Sequence, residues 1–547
     1  MNPVLNEENK VSSVLNGERK VNSELNEENK VNSVLNEENK VSVLNEENKV
    51  NSVLNGESKI EPVEYAAQNV TTIEYGFRSA CSQVLATLTL YCLIISVGMC
   101  FGMPTVVIGV LNQNIASNQT ILQTPNLILS DEQSSWLGSI VFLFRPVGAI
   151  VSGSLIQYVG RTRVMIAVGI PFCVGWITLY MAESVLMILL GTVIMAVGVG
   201  CVEAPVLTYI GEISEPRLRG SLTSFVIAAC QFGAALIFLI FALTDWRTTM
   251  LISAVVPALT MIVLAFIPES PTWLISKRRL EDAEQSLRWV RGWSKKPKVR
   301  VEFERLVQRT QNNTQPEGQF SQLRRPEFKR PFIMIIILFI ITIIPSLQPM
   351  RPFYVEIFQT YDFPVRTEWF LVLITLLSIL ASFVGTFTVH RFGKRGISLW
   401  SLGINTTATL MLSVCSMNLH WSGWIPLSLF CICFWVSNYG MLSLPWMYIA
   451  EVYPLEMRGI ASGLSAASAS LVLFISTKTY MNLTSWFGLH GTLFIYTSIS
   501  FLGFIYVYFC VPETEGRRLE EIMQFFADRK RARDFNKSKP ISSTQSK

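Results

Sequence analysis

The sequence predicts an all-α membrane protein of twelve transmembrane helices in two six-helix bundles, joined by short cytoplasmic helices. Three observations predict it. Of 547 residues, 50% are apolar and only 16% charged, against about 25% charged in a soluble domain, so lipid must solvate most of the chain. Apolar stretches on the scale of the roughly 20 residues that cross a bilayer as a helix come six before a charged block and six after it. Three short motifs also recur in both halves at a nearly constant offset, which marks the halves as parallel repeats.

The first six spans are expected over 85–111, 137–159, 164–181, 185–210, 225–243 and 250–267. The second six are expected over 332–344 with a less regular extension, then 370–389, 397–416, 425–450, 461–480 and 493–511. Short cytoplasmic loops retain Lys and Arg, so the loops holding Arg161 and Arg163, Arg217 and Arg219, the segment 275–330, Arg391 to Arg395, and Arg458 are placed inside. An even number of spans then puts both termini in the cytosol. The chain divides into a tail (1–80), an N-terminal bundle (81–270), a helical linker (271–330), a C-terminal bundle (331–511) and a second tail (512–547). The net charge of +5 is mostly this topology signal and supports no nucleic-acid partner.

Residues 4–57 repeat a ten-residue unit of the form VLNEENKVNS. Ten residues fit neither a heptad nor an eleven-residue stripe, so a coiled coil is not expected. An Asn- and Glu-rich disordered cytosolic tail is the plainer reading; docking of cytosolic proteins is the sharper one, and nothing identifies a partner. No cleavable signal peptide is expected, because the first apolar span begins near residue 85. The ten cysteines fall mostly within spans and read as small core residues, without disulfide or metal spacing.

The recurring motifs carry charge at helix ends. Gly160-Arg161-Thr162-Arg163 answers to Gly393-Lys394-Arg395, Glu212 with Arg219-Gly220 to Glu451 with Arg458-Gly459, and Pro268-Glu269-Ser270 to Pro512-Glu513-Thr514. Arginine can bridge several carboxylates at once. Arg161, Arg163, Glu212, Arg219 and Glu269, with Lys394, Arg395, Glu451, Arg458 and Glu513, are therefore expected to form a salt-bridge gate. It would hold the bundles together when the cytoplasmic side is closed. Ordinary topology is the plainer reading for any one of these residues; the matched duplication favours the gate.

Pro268-Glu269-Ser270-Pro271-Thr272-Trp273-Leu274, Leu287-Arg288-Trp289-Val290-Arg291-Gly292, Pro445-Trp446 ahead of Glu451, and Pro512-Glu513-Thr514-Glu515-Gly516-Arg517 resemble the signatures of sugar porters. These belong to the major facilitator superfamily, and the resemblance covers about residues 80–525. Leu287 to Gly292 and Thr477-Lys478-Thr479 are most similar to insect trehalose and hexose facilitators. The resemblance implies the major facilitator fold, a small-molecule sugar as substrate, no metal or other cofactor, and a multi-pass protein of the plasma membrane. It also implies cytoplasmic helices that latch the bundles from below. Leu280, Ala283, Leu287 and Val290 fall at helical spacing, so an amphipathic helix is expected there in any case.

In such porters the sugar lies at mid-membrane between side-chain amides and an aromatic plane, because hydroxyls need paired donors and acceptors. Gln231 in span 5 and Trp446 in span 10 match positions of that kind. An interhelical hydrogen bond and core packing are their plainer readings. Elsewhere the pattern has drifted: Thr342 and Ile343 stand where two Gln are usual, Gln348 where an Asn is usual, and Asn438 where a Glu is usual. Gln231, Gln348, Asn438 and Trp446 are the candidate substrate-binding residues. In the gate, Gln157 and His390 replace acidic residues and Thr192 an Arg, which should weaken the inward lock.

Arg145, Glu203 and Lys478 are charges within spans, where charge is costly and usually functional. Arg145 and Glu203 are expected to pair within the N-terminal bundle; Glu203 lining the cavity alone is the alternative. Span 1 contains no Asp or Glu, whereas proton-coupled sugar porters carry an Asp there, so uniport is expected, with Glu203 a second candidate proton carrier. Asn118-Gln119-Thr120 is a glycosylation sequon in the first outer loop. Asn482-Leu483-Thr484 is a second one expected outside; Asn69 and Asn312 head cytosolic sequons that should stay bare. The expected function is facilitative transport of a sugar, trehalose or a hexose. The alternatives are a polyol or other small polar solute, or a non-transporting nutrient sensor. An enzyme is not expected, since no nucleophile–base or phosphate-binding constellation is present.

Overall fold

A computed structural model describes residues 76–116, 127–312, 326–361, 363–417, 422–453, 458–515, 521–522 and 525–526. The repeat tail, Asn118 and the side chains of Arg219, Asn312, His390 and Arg458 lie outside this set. The first half is built from α1 (Phe77–Ala116), α2 (Asp131–Tyr158), α3 (Arg161–Tyr180), α4 (Val185–Ile213), α5 (Pro216–Leu243) and α6 (Trp246–Leu264). Three short helices follow: α7 (Pro271–Ser276), α8 (Leu280–Val290) and α9 (Lys296–Asn312). The second half comprises α10 (Pro326–Ile343), a 3-10 segment (Gln348–Phe353), α11 (Tyr354–Thr360), α12 (Thr367–Phe392) and α13 (Lys394–Met417). It ends with α14 (Trp424–Val436), a π-helical turn (Ser437–Met441), α15 (Leu444–Val452) and α16 (Arg458–Cys510).

Among the described residues eleven helices are long and apolar enough to cross a membrane. The last of these, Ile460–Cys510, has 51 residues, which as one straight helix would extend about 75 Å, against a hydrocarbon core of about 30 Å. Gly488, at φ 67°, breaks its helical backbone. The segment is two spans, and twelve result.

Local chemistry sets several ends. Ser130 and Gln133 form a reciprocal capping box that starts α2, and Asp245 accepts the Thr248 N–H at 3.0 Å to start α6. Helix α1 begins ahead of the apolar run at Leu85 because its polar first turns are satisfied inside the protein. Ser79 Oγ and Gln83 Nε2 donate to Glu215 Oε1 at 2.6 and 2.9 Å.

The exterior inverts the soluble pattern. Ile150 is 73% exposed, Phe387 76% and Phe509 73%, as suits lipid-facing surface, while hydroxyls turn inward and bond their own helices, as Thr192 does to the Ile188 carbonyl at 2.7 Å. Glycine permits the closest crossings. A Cβ at Gly98 of α1 would collide with the Cys230 carbonyl of α5, and one at Gly200 of α4 with the Arg145 carbonyl of α2.

Of the amphipathic residues in α8, Ala283, Leu287 and Val290 are buried while Leu280 is 47% exposed, because Leu280 opens the helix before its buried face begins. The linker docks on the first half: Ser82 Oγ donates to the Val290 carbonyl at 2.6 Å and Arg291 Nη1 to the Ile213 carbonyl at 2.9 Å. Among the cysteines, Cys81 and Cys510 are exposed, contrary to the core reading, since they lie in the first turns of α1 and the last turn of α16.

Candidate functional site

The helix ends that carry Arg161 and Lys394 form the basic end of the molecule, and there each half builds the same clasp. Gly160 and Gly393 precede α3 and α13 with φ 110° and 73°, a region open to glycine. A Cβ on either would strike the carboxylate of Glu269 or Glu513 respectively. Glu269 Oε1 accepts the backbone N–H of Arg161 and of Thr162 at 2.8 and 3.1 Å. Glu513 accepts those of Lys394 and Arg395 at 3.2 and 3.0 Å. Each carboxylate thus satisfies orphan donors at a helix N-terminus, where the helix dipole favours negative charge.

A second ionic tie completes each clasp. Arg161 pairs with Glu212 at 2.9 Å, and Lys394 pairs with Glu451 and, at 2.9 Å, with Glu515. Tyr209 donates to the Pro268 carbonyl and Tyr448 to that of Pro512. Arg163 is exposed and lines a cleft with Glu269, Trp273 and Asp282. The pairs Arg161–Glu212, Arg291–Glu302, Lys394–Glu451 and Lys394–Glu515 each join residues of one half or its linker.

The halves meet elsewhere. At the end opposite the clasps, Thr105 Oγ1 donates to the Arg351 carbonyl at 2.9 Å and Ser135 Oγ to that of Lys478 at 2.8 Å. Lys478 Nζ lies 4.3 Å from the centre of the Trp136 ring, a cation–π contact between halves. Phe225 and Phe383 meet at 5.7 Å on the side towards the clasps.

At mid-depth, Gln231 Nε2 of α5 donates to Asn438 Oδ1 at 2.9 Å, so one residue from each half forms a single amide pair. Asn438 sits in the π-turn, where the Leu442 N–H reaches back five residues to Ser437, and its Nδ2 donates to the Phe434 carbonyl at 2.9 Å. Such turns frequently occur at functional sites. Trp446, 38% exposed, meets Phe339 edge-on at 5.3 Å, which leaves part of the indole accessible. Gln348 is half-buried and opens the 3-10 segment after Leu347, whose φ is 63°. Span 7 breaks there at Pro345; Asn405 Nδ2 satisfies the Pro345 carbonyl at 3.1 Å, as irregular backbone at this depth requires.

Arg145 of α2 contacts Glu203 of α4 as an ion pair, beside the close crossing at Gly200. Two more charges lie in span 7, Arg351 and Glu356. Sequence reasoning missed them because the prolines after Ile344 made the extension look like a loop. Counting about 20 residues from Phe332 would have brought Arg351 inside.

A family described as "Sugar (and other) transporter" matches residues 83–526. The chain belongs to that family. The facilitated trehalose transporter Tret1 of Bombyx mori is 29% identical over 445 residues, covering 79% of this chain and 87% of its own length. Tret1 of Apis mellifera ligustica is 29% identical over 409 residues, covering 72% and 80%. Among solved structures, an inward-open form of the E. coli xylose transporter XylE aligns with a TM-score of 0.64 at 17% identity, covering 80% of this chain and 99% of that one. A partially occluded inward-open form gives 0.61 at 17% identity, covering 78% and 100%. This family member is a multi-pass membrane transporter of the major facilitator fold and not an enzyme.

Proposed function

We propose that this sugar porter is a uniporter that moves trehalose or a hexose down its gradient by alternating access. The observation that carries the reading is the Gln231–Asn438 hydrogen bond: a ligand that replaces it with its own hydroxyls would touch both halves at once, which couples occupancy to their relative movement. Trp446 and Gln348 supply the stacking face and a further amide. An asymmetry of contacts supports alternating access, since polar ties join the halves at one end while at the other the pairs Arg161–Glu212 and Lys394–Glu451 each lie within one half. The repeated-motif residues Arg161, Arg163, Glu212, Arg219, Glu269, Lys394, Arg395, Glu451, Arg458 and Glu513 then act as the gate, those of the clasps stiffening the two basic ends and the set re-pairing across them on closure. Uniport is supported by the absence of Asp and Glu from α1 between Leu85 and Leu111 and by the engagement of Glu203 with Arg145. The same reading puts the clasps and both termini in the cytosol of a plasma-membrane protein, with Asn118 glycosylated outside.

Uptake of labelled trehalose and glucose by cells expressing the chain tests this, with and without a protonophore and beside Gln231→Ala. Saturable uptake that survives the protonophore and falls in the variant is expected. No uptake of either sugar by protein demonstrated at the cell surface would overturn the reading.

A further inference from the structure

We propose that the central site also accepts an anionic sugar, one carrying a carboxylate or a phosphate, beside the neutral ones, with Arg351 as the residue that pairs the charge; this rests on the sugar-porter reading above. Arg351 lies in the 3-10 segment of span 7, between Pro349 and Pro352, and is half-buried. Its Nη2 is buried and has no hydrogen-bond partner. Among the described residues no carboxylate forms an ion pair with it.

The surroundings sharpen the imbalance. Arg351, Arg145 and Glu203 all act on Cys230, the residue next to Gln231. Glu203 is already engaged by Arg145, and Glu356, the acid of span 7 itself, is exposed. A guanidinium held at membrane depth is costly unless something of opposite charge meets it, and its planar fork suits a carboxylate or phosphate. Neutral recognition is meanwhile thinned. Thr342, which stands where a Gln is usual, is buried with its hydroxyl on the Leu338 carbonyl at 2.7 Å, and Ile343 has no polar atom to offer. The remaining amides, Gln231 beside Cys230 and its partner Asn438, can still hold ring hydroxyls.

The test uses the full chain in cells, with uptake of labelled glucose, trehalose, glucuronate and glucose 6-phosphate and competition by the two anions, for the parent, Arg351→Gln and Arg351→Lys. At least one anionic sugar should compete, and the one that does separates carboxylate from phosphate. Arg351→Gln should weaken that competition by about 10- to 100-fold, the worth of a charge-assisted hydrogen bond, and more than it weakens neutral uptake; Arg351→Lys should retain part of it. Neutral uptake with no competition from either anion would overturn this inference and leave the porter reading standing. No uptake or competition of any kind by surface protein would overturn both. If Arg351→Gln does not reach the surface, competition in the parent decides alone.

Discussion

Gln231 and Asn438, from different halves of the chain, share one hydrogen bond of 2.9 Å at the middle of the bundle. Because each amide is the other's partner, the pair acts as a unit. Gln231→Ala and Asn438→Ala should each raise the half-saturating sugar concentration about tenfold, and the double variant should add little beyond either. Kinetics of uptake for the four proteins of the cycle measure this; fully additive losses would mean that the two amides act separately.

Arg145 and Glu203 make a paired charge inside the first half. Removing one partner strands the other, at a cost of about 3–5 kcal/mol. Arg145→Ala or Glu203→Ala should therefore reduce surface expression and melting temperature. The exchanged double variant, Arg145→Glu with Glu203→Arg, should recover much of both, and surface biotinylation with thermal-shift measurement reads the result.

The repeated clasp predicts matched sensitivity. Glu269→Gln and Glu513→Gln each remove a charge that caps a helix N-terminus, worth about 1–2 kcal/mol. The two should lower the melting temperature by similar amounts, and their effects should add, since the sites lie in different halves. A loss confined to one of them would break the equivalence.

Lys478 and Trp136 fasten the end opposite the clasps. Lys478→Met should weaken that seal by about 0.5–2 kcal/mol, a roughly 2- to 30-fold rise in the open population at this end. A cysteine placed at Ser135, on a background whose exposed Cys81 and Cys510 are replaced, should then react faster with an impermeant maleimide than it does when Lys478 is present.

Asp245 lies between α5 and α6, where the Thr248 hydroxyl and backbone N–H hold its carboxyl below the usual range. A depressed folded value means that its stabilisation is present above the unfolded value of about 3.9 and fades as pH falls through the lower folded value. Asp245→Ala should melt below the parent at pH 7, and the gap should close in acid.

The fold was legible because its determinants are local and repeated: apolar runs of bilayer length, and motifs such as Gly160-Arg161 and Gly393-Lys394 at matched positions. The partner of each motif charge was less so. Which residue Glu269 meets depends on where α3 begins and α6 ends in space, and sequence spacing alone allows a partner in either half. Gln231 and Asn438 were each identifiable as polar groups at membrane depth, but they are 207 residues apart, and only the packing of α5 against the π-turn joins them. Arg351 went unseen because proline-rich irregular backbone hides a span from a hydropathy reading.

The clasps have a consequence for how the chain could be divided. Each half closes its own ionic staple, Glu269 over α3 and Glu513 over α13, and the linker helices named above rest on the first half. A cut between residues 312 and 326 would leave both staples whole, because Glu269 and α3 lie on one side of it and Glu513 and α13 on the other.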